Sequence, residues 1–244
     1  MPIKGFLYHG RAVAAGGQIT RPVSHMIEGH AHCALAHRQA GYPSSQHPGY
    51  TIAGILSYGA CRSEIKAMEE DADGFFCTEV RSTVENLKVV GEFPLSADRI
   101  TMGLVSVYRR DWFERQTPHG GHARVLPIDC SLGNLTVNGR AASYWLPAPF
   151  HFGAAQREAY LRDDDPDPAT EAAVQAALAG SASRFVHIPN FGRIYFGEWS
   201  TGGTAASQHV HRLTMLRLAM GSPVGGQIKV ASGEDDGVPD PPSP

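Results

Sequence analysis

Apolar residues recur along most of this chain in short runs of period two, separated by turn-forming residues. The alternation is clearest in RITMGLVSVY, Arg99 to Tyr108. Ile100, Met102, Leu104, Ser106 and Tyr108 share one face, and Thr101, Gly103, Val105 and Val107 make the other substantially apolar. That pattern predicts a central strand covered on both sides. An opening strand is expected over Gly5 to Ile19, before Pro22 stops regular pairing, and GYPSSQHPGY, Gly41 to Tyr50, reads as turns. Thr51 to Met68 and Phe75 to Val90 flank the acidic stretch EEDADG and predict a hairpin. A helix over Ser63 to Asp73 is the competing reading, since Glu, Lys, Ala and Met favour it. DWFERQ, Asp111 to Gln116, reads as a helical turn leading into the loop TPHGGH, and strands return at Phe185 to Trp199 and Val210 to Val230.

One segment carries a full set of helix signals. Acids precede Pro168, a run of Ala, Glu, Val, Gln and Leu follows, and Gly180 stands just past the end. Its apolar surface is mostly alanine, with Val174 and Leu178 larger, which suits a helix docked on a β body. The fold expected is all-β, a sandwich-like packing of long antiparallel strands with one peripheral α-helix near residues 168–179. Residues 1–233 read as a single β domain with a helical insertion at about 154–184, and 234–244 as an acidic Pro-rich tail, extended or disordered.

A repeat stands out. STVENLKVVG, Ser82 to Gly91, is echoed by SLGNLTVNG, Ser131 to Gly139, with Asn86 and Asn134 48 positions apart. Each block reads as a strand whose Leu and Val point into the core and whose Gly releases the chain into a turn. The echo suggests an internal duplication, about 75–108 and 125–152; chance similarity of two strand ends is the alternative. Two copies are too few for a solenoid.

The succession TEVRSTVENLKVVGEFPLSADRI, CSLGNLTVNG, IPNFGRIYFGEW and HVHRLTMLRLAMGSPVGGQIKVASG resembles the repeated β domain of bacterial choice-of-anchor proteins, the P group in particular, over about residues 50–150 and 185–233. The resemblance implies an exported, cell-surface or extracellular protein without established enzymatic activity, and it transfers no catalytic residue. The chain departs from that family in showing neither an export signal nor a C-terminal anchor, and it has Gly197-Glu198 where members commonly have Asn-Glu.

Lys and Arg number 21 against 24 Asp and Glu, for a net charge of −3 with no basic stripe, so nucleic acid is not an expected partner. The opening MPIKGFLYHGRAVAAGG does not read as a signal peptide, and no stretch reaches the roughly 18 apolar residues of a membrane span. On these grounds alone the location reads as cytoplasmic, against the cell surface implied by the resemblance.

Histidine is the chemical anomaly, with twelve in the chain. His30-Ala-His32 and His209-Val-His211 each place two imidazoles on one face of a strand, and if the pairs converged they would suit Zn or Cu. Surface or structural histidines and a pH-sensitive interface are the competing readings. Cys33, Cys61, Cys77 and Cys130 include no Cys-x-x-Cys pair and read as buried thiols, although the hairpin puts Cys61 and Cys77 on opposed strands where a disulfide is geometrically conceivable. Asp163, Asp164 and Asp165 fit helix capping better than a calcium loop. Trp112, Tyr144, Trp145 and Trp199 could line a carbohydrate platform, but core packing is the commoner role.

No nucleophile elbow, phosphate-binding loop, dinucleotide fingerprint or zinc-protease motif is found, so no catalytic residue and no organic cofactor is expected. The leading expectation is a non-enzymatic structural or self-assembling protein, a homo-oligomer joined through strand edges or termini. A metal-dependent enzyme using the two His-x-His pairs and a carbohydrate-binding module are the alternatives.

Overall fold

A computed structural model describes residues 6–22, 24–70, 74–91, 94–112, 123–142, 144–163, 167–204, 207–221, 224–235 and 238–239. In chain order the elements are β1 (Phe6–Arg21), β2 (His25–His37), β3 (Ser44–His47), β4 (Tyr50–Ile52), β5 (Leu56–Tyr58), β6 (Cys61–Glu70), β7 (Phe75–Val89), β8 (Leu95–Arg109), β9 (Arg124–Pro127), β10 (Ser131–Gly133), β11 (Thr136–Val137) and β12 (Arg140–Ala141). They continue with α1 (Ala154–Arg162), α2 (Pro168–Ala179), β13 (Phe185–Ile188), β14 (Gly192–Thr204), β15 (Ser207–Met220), β16 (Gly225–Asp235) and β17 (Val238–Pro239). The architecture is the all-β sandwich that the alternation predicts. One antiparallel sheet has the order β13-β14-β15-β16-β1, with β2 on the far side of β1 and β17 pairing its start. The other is built round β7 and β8: β6, β5, β4 and β3 lie on the β7 side, and β9 to β12 on the β8 side.

The central strand foreseen at 99–108 is the middle of β8, paired with β7 along its length and with β9, β10 and β11 on its other side. The repeated motif sits on both flanks of this strand. Ile100 is paired with Val84 in β7 and Leu132 in β10, and Thr101 with Thr83 and Ser131. Each such pair of flanking residues is separated by the repeat interval. Asn86 and Asn134 both adopt left-handed backbone, at φ 51° and 49°, a conformation asparagine tolerates better than most residues.

The first sheet has a related irregularity. Inward residues normally alternate with outward ones, but Ala14 and Ala15 in β1, Val230 and Ala231 in β16, and Met215 and Leu216 in β15 are consecutive and all fully buried. These pairs lie side by side, since Val230 is paired with both Ala15 and Leu216. Left-handed residues fall on the same line in every second strand: Gly197 (φ 57°) in β14, Ala231 (φ 51°) in β16 and Ala31 (φ 47°) in β2. A left-handed residue rotates the peptide plane, so its neighbour faces the same side and the pleat slips by one along the whole line.

Between the sheets lies a core of aliphatic and aromatic side chains. Phe6 stacks on Phe76 with centroids 4.6 Å apart, and Tyr108 packs between Phe6 and Trp112. Burying each such side chain contributes about 1.5–3 kcal/mol. Asp235 is fully buried there and accepts a hydrogen bond of 2.8 Å from Ser106 Oγ, which offsets part of its desolvation. The helix expected near 168–179 is α2, capped by Asp167, whose carboxylate accepts from the Ala169 and Thr170 amides. Val174 and Leu178 are its buried face, as expected of a docked helix. The following Ser181 ties it to β14 by accepting from Trp199 N and donating to the Leu178 carbonyl. A second helix, α1, opens the helical insertion expected at about 154–184, where a single helix is expected; its alanine- and charge-rich sequence buries only Tyr160 and Leu161.

The hairpin reading holds over β6 and β7, and the competing helix at 63–73 does not form over Ser63 to Glu70; residues 71–73, like 117–122, 164–166 and 240–244, lie outside the described residues. The Cys61–Cys77 bridge is corrected by the register. Cys61 pairs with Val84 and Cys77 with Met68, so the two thiols sit seven residues apart along the ladder, roughly 24 Å at strand rise. None of the four cysteines forms a disulfide. The start of the tail is also corrected: β16 runs through Glu234 and Asp235, and Val238 and Pro239 pair with Leu7 and Phe6 of the same chain.

Candidate functional site

The free edge at one end of the first sheet exposes two neighbouring large apolar residues. β13 is four residues long, is paired with β14 alone, and no strand among the described residues covers its outer side. Ile188 is buried, but Phe185 is 44% and Val186 43% exposed, a large share for an aromatic and a β-branched residue on a strand. Nearby, Trp145 is 62% exposed.

Each ring in this region carries an arginine. Arg184 lies over Trp145 at 3.8 Å, Arg193 over Phe185 at 4.7 Å, and Arg217 over Tyr195 at 3.6 Å. The register explains the set, because Phe185, Tyr195 and Arg217 occupy paired positions on three successive strands. Arg217 is fixed by two hydrogen bonds to Glu198, of 2.6 and 2.5 Å. The Arg193 and Arg217 guanidiniums hold the Tyr195 phenol below its ordinary pKa. The result is a set of rings and guanidiniums beside a strand edge with no partner among the described residues, composition typical of protein contacts.

The histidine pairs do not meet. His30 and His32 lie on β2 and His211 on β15, with β1 and β16 between them. The left-handed Ala31 also separates the partners of the first pair. His30 stacks on His47 at 4.0 Å and shares a 2.5 Å hydrogen bond with the Tyr58 hydroxyl, whereas His32 Nε2 accepts from Arg11. Burial, followed by the neighbouring His47, holds His30 below its ordinary pKa, against an opposing effect of Glu28. His25 hydrogen-bonds Tyr50, so the group closes β2 onto β3, β4 and β5. His211 is buried beside Trp199, and the side chain of His209 lies outside the described residues. Among the described residues no group of three or more His, Cys, Asp or Glu is placed to hold a metal ion.

The aromatic set also divides. Trp112 and Trp199 are each 1% exposed and belong to the core, while Tyr144 and Trp145 are at the surface. Sequence reading missed the β13 edge. The alternation in FVHIPNFGRIYFGEW announced a strand, but its place at the end of the sheet depends on pairings that no local pattern states. The signal that was present is the spacing of Phe185, Arg193 and Tyr195 around the Pro189-Asn190 turn.

A family described as Domain of unknown function (DUF8256) matches residues 6–157. No curated protein and no solved structure matches the chain. The matched residues run from β1 into α1 and end before β13.

Proposed function

Because the chain belongs to the family described as Domain of unknown function (DUF8256), a membership that brings no activity with it, we propose from its own geometry that it is a non-enzymatic, β-rich building block that associates with copies of itself. The observation that carries this reading is the β13 edge, with Phe185 and Val186 exposed on a strand whose outer side has no partner among the described residues. Two copies related by a two-fold axis would pair their β13 strands antiparallel, joining two sheets into one and covering both apolar residues. The ring-bearing arginines would border that contact without being buried by it. The resemblance to choice-of-anchor domains, proteins of the cell surface, agrees with a structural role.

Light scattering coupled to size-exclusion chromatography over a concentration series tests the proposal. Dimers or larger assemblies are expected for the natural sequence and their loss in the Phe185→Lys/Val186→Lys variant, with circular dichroism showing the variant folded. A strict monomer at every concentration, or assemblies indifferent to these substitutions, would overturn it.

A further inference from the structure

The line where the pleat slips leaves its mark on the outer face of the first sheet. Two consecutive inward residues on each of β1, β15 and β16 mean that no side chain rises outward between Val13 and Gly16, between Thr214 and Arg217, or between Lys229 and Ser232. A trough of about 690 Å³ lies there. Its floor is largely backbone. A Cβ on Gly17 would stand 2.1 Å from the Gln227 carbonyl oxygen, and one on Gly226 2.3 Å from that of Gln18, so these glycines allow β1 and β16 to close up beneath it.

The walls carry Arg11, Gln18, Thr214, Gln227, Lys229 and Ser232. Two further lining groups neutralise each other, since Arg212 Nε donates to Glu234 at 3.0 Å. The cations that remain have bonding capacity to spare. Arg11 donates its Nε to His32 at 3.2 Å and keeps both terminal nitrogens, and Lys229 has no hydrogen-bond or ion-pair partner among the described residues.

We infer that this trough binds an acidic polysaccharide, its carboxylates meeting Arg11 and Lys229 and its hydroxyls the amides and hydroxyls of the walls. Along β1 it extends from Arg11 to Thr20, roughly 30 Å at strand rise, which fits a chain better than a single sugar. The chemistry disfavours other polymers. The backbone groups of β1 and β16 are consumed in their ladders, so a peptide cannot add here as a strand. No aromatic ring among the described residues lines the trough to stack on a neutral sugar. Three cations against one carboxylate, on a chain of net charge −3, fall short of the basic track that a nucleic-acid backbone draws on. The inference rests on residues of β1, β15 and β16 and not on β13 itself, so it does not depend on self-association.

Affinity electrophoresis in gels containing polygalacturonate, with dextran gels as the neutral control, tests it on the whole protein. Retardation by polygalacturonate and not by dextran is expected, weakened by added salt. Arg11→Gln/Lys229→Gln should lower the affinity by about tenfold or more, as for loss of charge-assisted hydrogen bonds, with an unchanged melting temperature showing it folded. Indifference to polygalacturonate, equal retardation by dextran, or an unaltered affinity in the folded variant would overturn the assignment.

Discussion

Val89 and Val137 meet the same residue, Leu95, from opposite sides of its strand. One is in β7 and the other in β11, and Lys88 and Thr136 flank Ser96 in the same way. The two copies of Asn-Leu-x-Val-x-Gly are therefore the left and right neighbours of one template strand. Leu87 and Leu135 are both buried against the same core for that reason. The matched register extends the likeness to Thr83 and Ser131, beyond the letters that are identical.

The asparagines in the repeat are there for their backbone. Asn86 is exposed and left-handed, so its side chain contributes little burial. Asn86→Gly should leave the urea midpoint almost unchanged, whereas Asn86→Val should cost about 1–2 kcal/mol, because a branched Cβ clashes in that conformation. Asn134 is a less clean test, since its Nδ2 also donates to Asp98 at 2.7 Å.

Gly103 should tolerate no side chain. Its partner in β7 is Arg81, which reaches across it to Asp129 at 2.8 Å, and Arg157 of α1 approaches the same carboxylate at 3.1 Å. A Cβ on Gly103 would lie 2.4 Å from the Ile128 carbonyl oxygen, so the backbone carrying Asp129 would have to move. Gly103→Ala is expected to lower stability by about 1–3 kcal/mol in urea unfolding, an overpacking cost.

Stability should decline as pH falls through the histidine range. His30 has a folded-state pKa below its ordinary value of 6.5, so on acidification the unfolded chain takes up that proton first. Below about pH 6.5 the unfolded state binds more protons and gains relative to the folded one; above it the contribution is fully present. The melting temperature of the natural protein should thus drop between about pH 7 and 5.5, and His30→Phe, which keeps a ring against His47, should show a flatter profile. Equal slopes would remove His30 from the account.

Legibility in the sequence followed the range of the interactions. β8, the β6–β7 hairpin and α2 were written locally, in alternation, in a turn-forming stretch and in a proline and glycine at the right ends. Asn86 and Asn134 drew notice as a repeat, but that they flank one strand is a pairing fact. Ala31 and Ala231 gave no warning of left-handed backbone, because alanine rarely adopts it, and with them the slip of the pleat stayed hidden. The trough is assembled from residues more than 200 positions apart, and only the doublets Gly16-Gly17 and Gly225-Gly226 hinted that two backbones come close. The acidic, proline-rich composition of the tail concealed two residues that pair with β1.

Val13 and Ser232, 219 positions apart, are hydrogen-bonded neighbours at the middle of the first sheet. During synthesis the β1–β2 hairpin must therefore wait, with one side of β1 open, until β16 emerges to fill it. Closure of this sheet depends on that one distant pairing of β1 with β16, the kind of contact that slows folding toward about milliseconds to seconds, and an interrupted chain lacking β16 would leave one side of the 16-residue β1 as an unprotected edge.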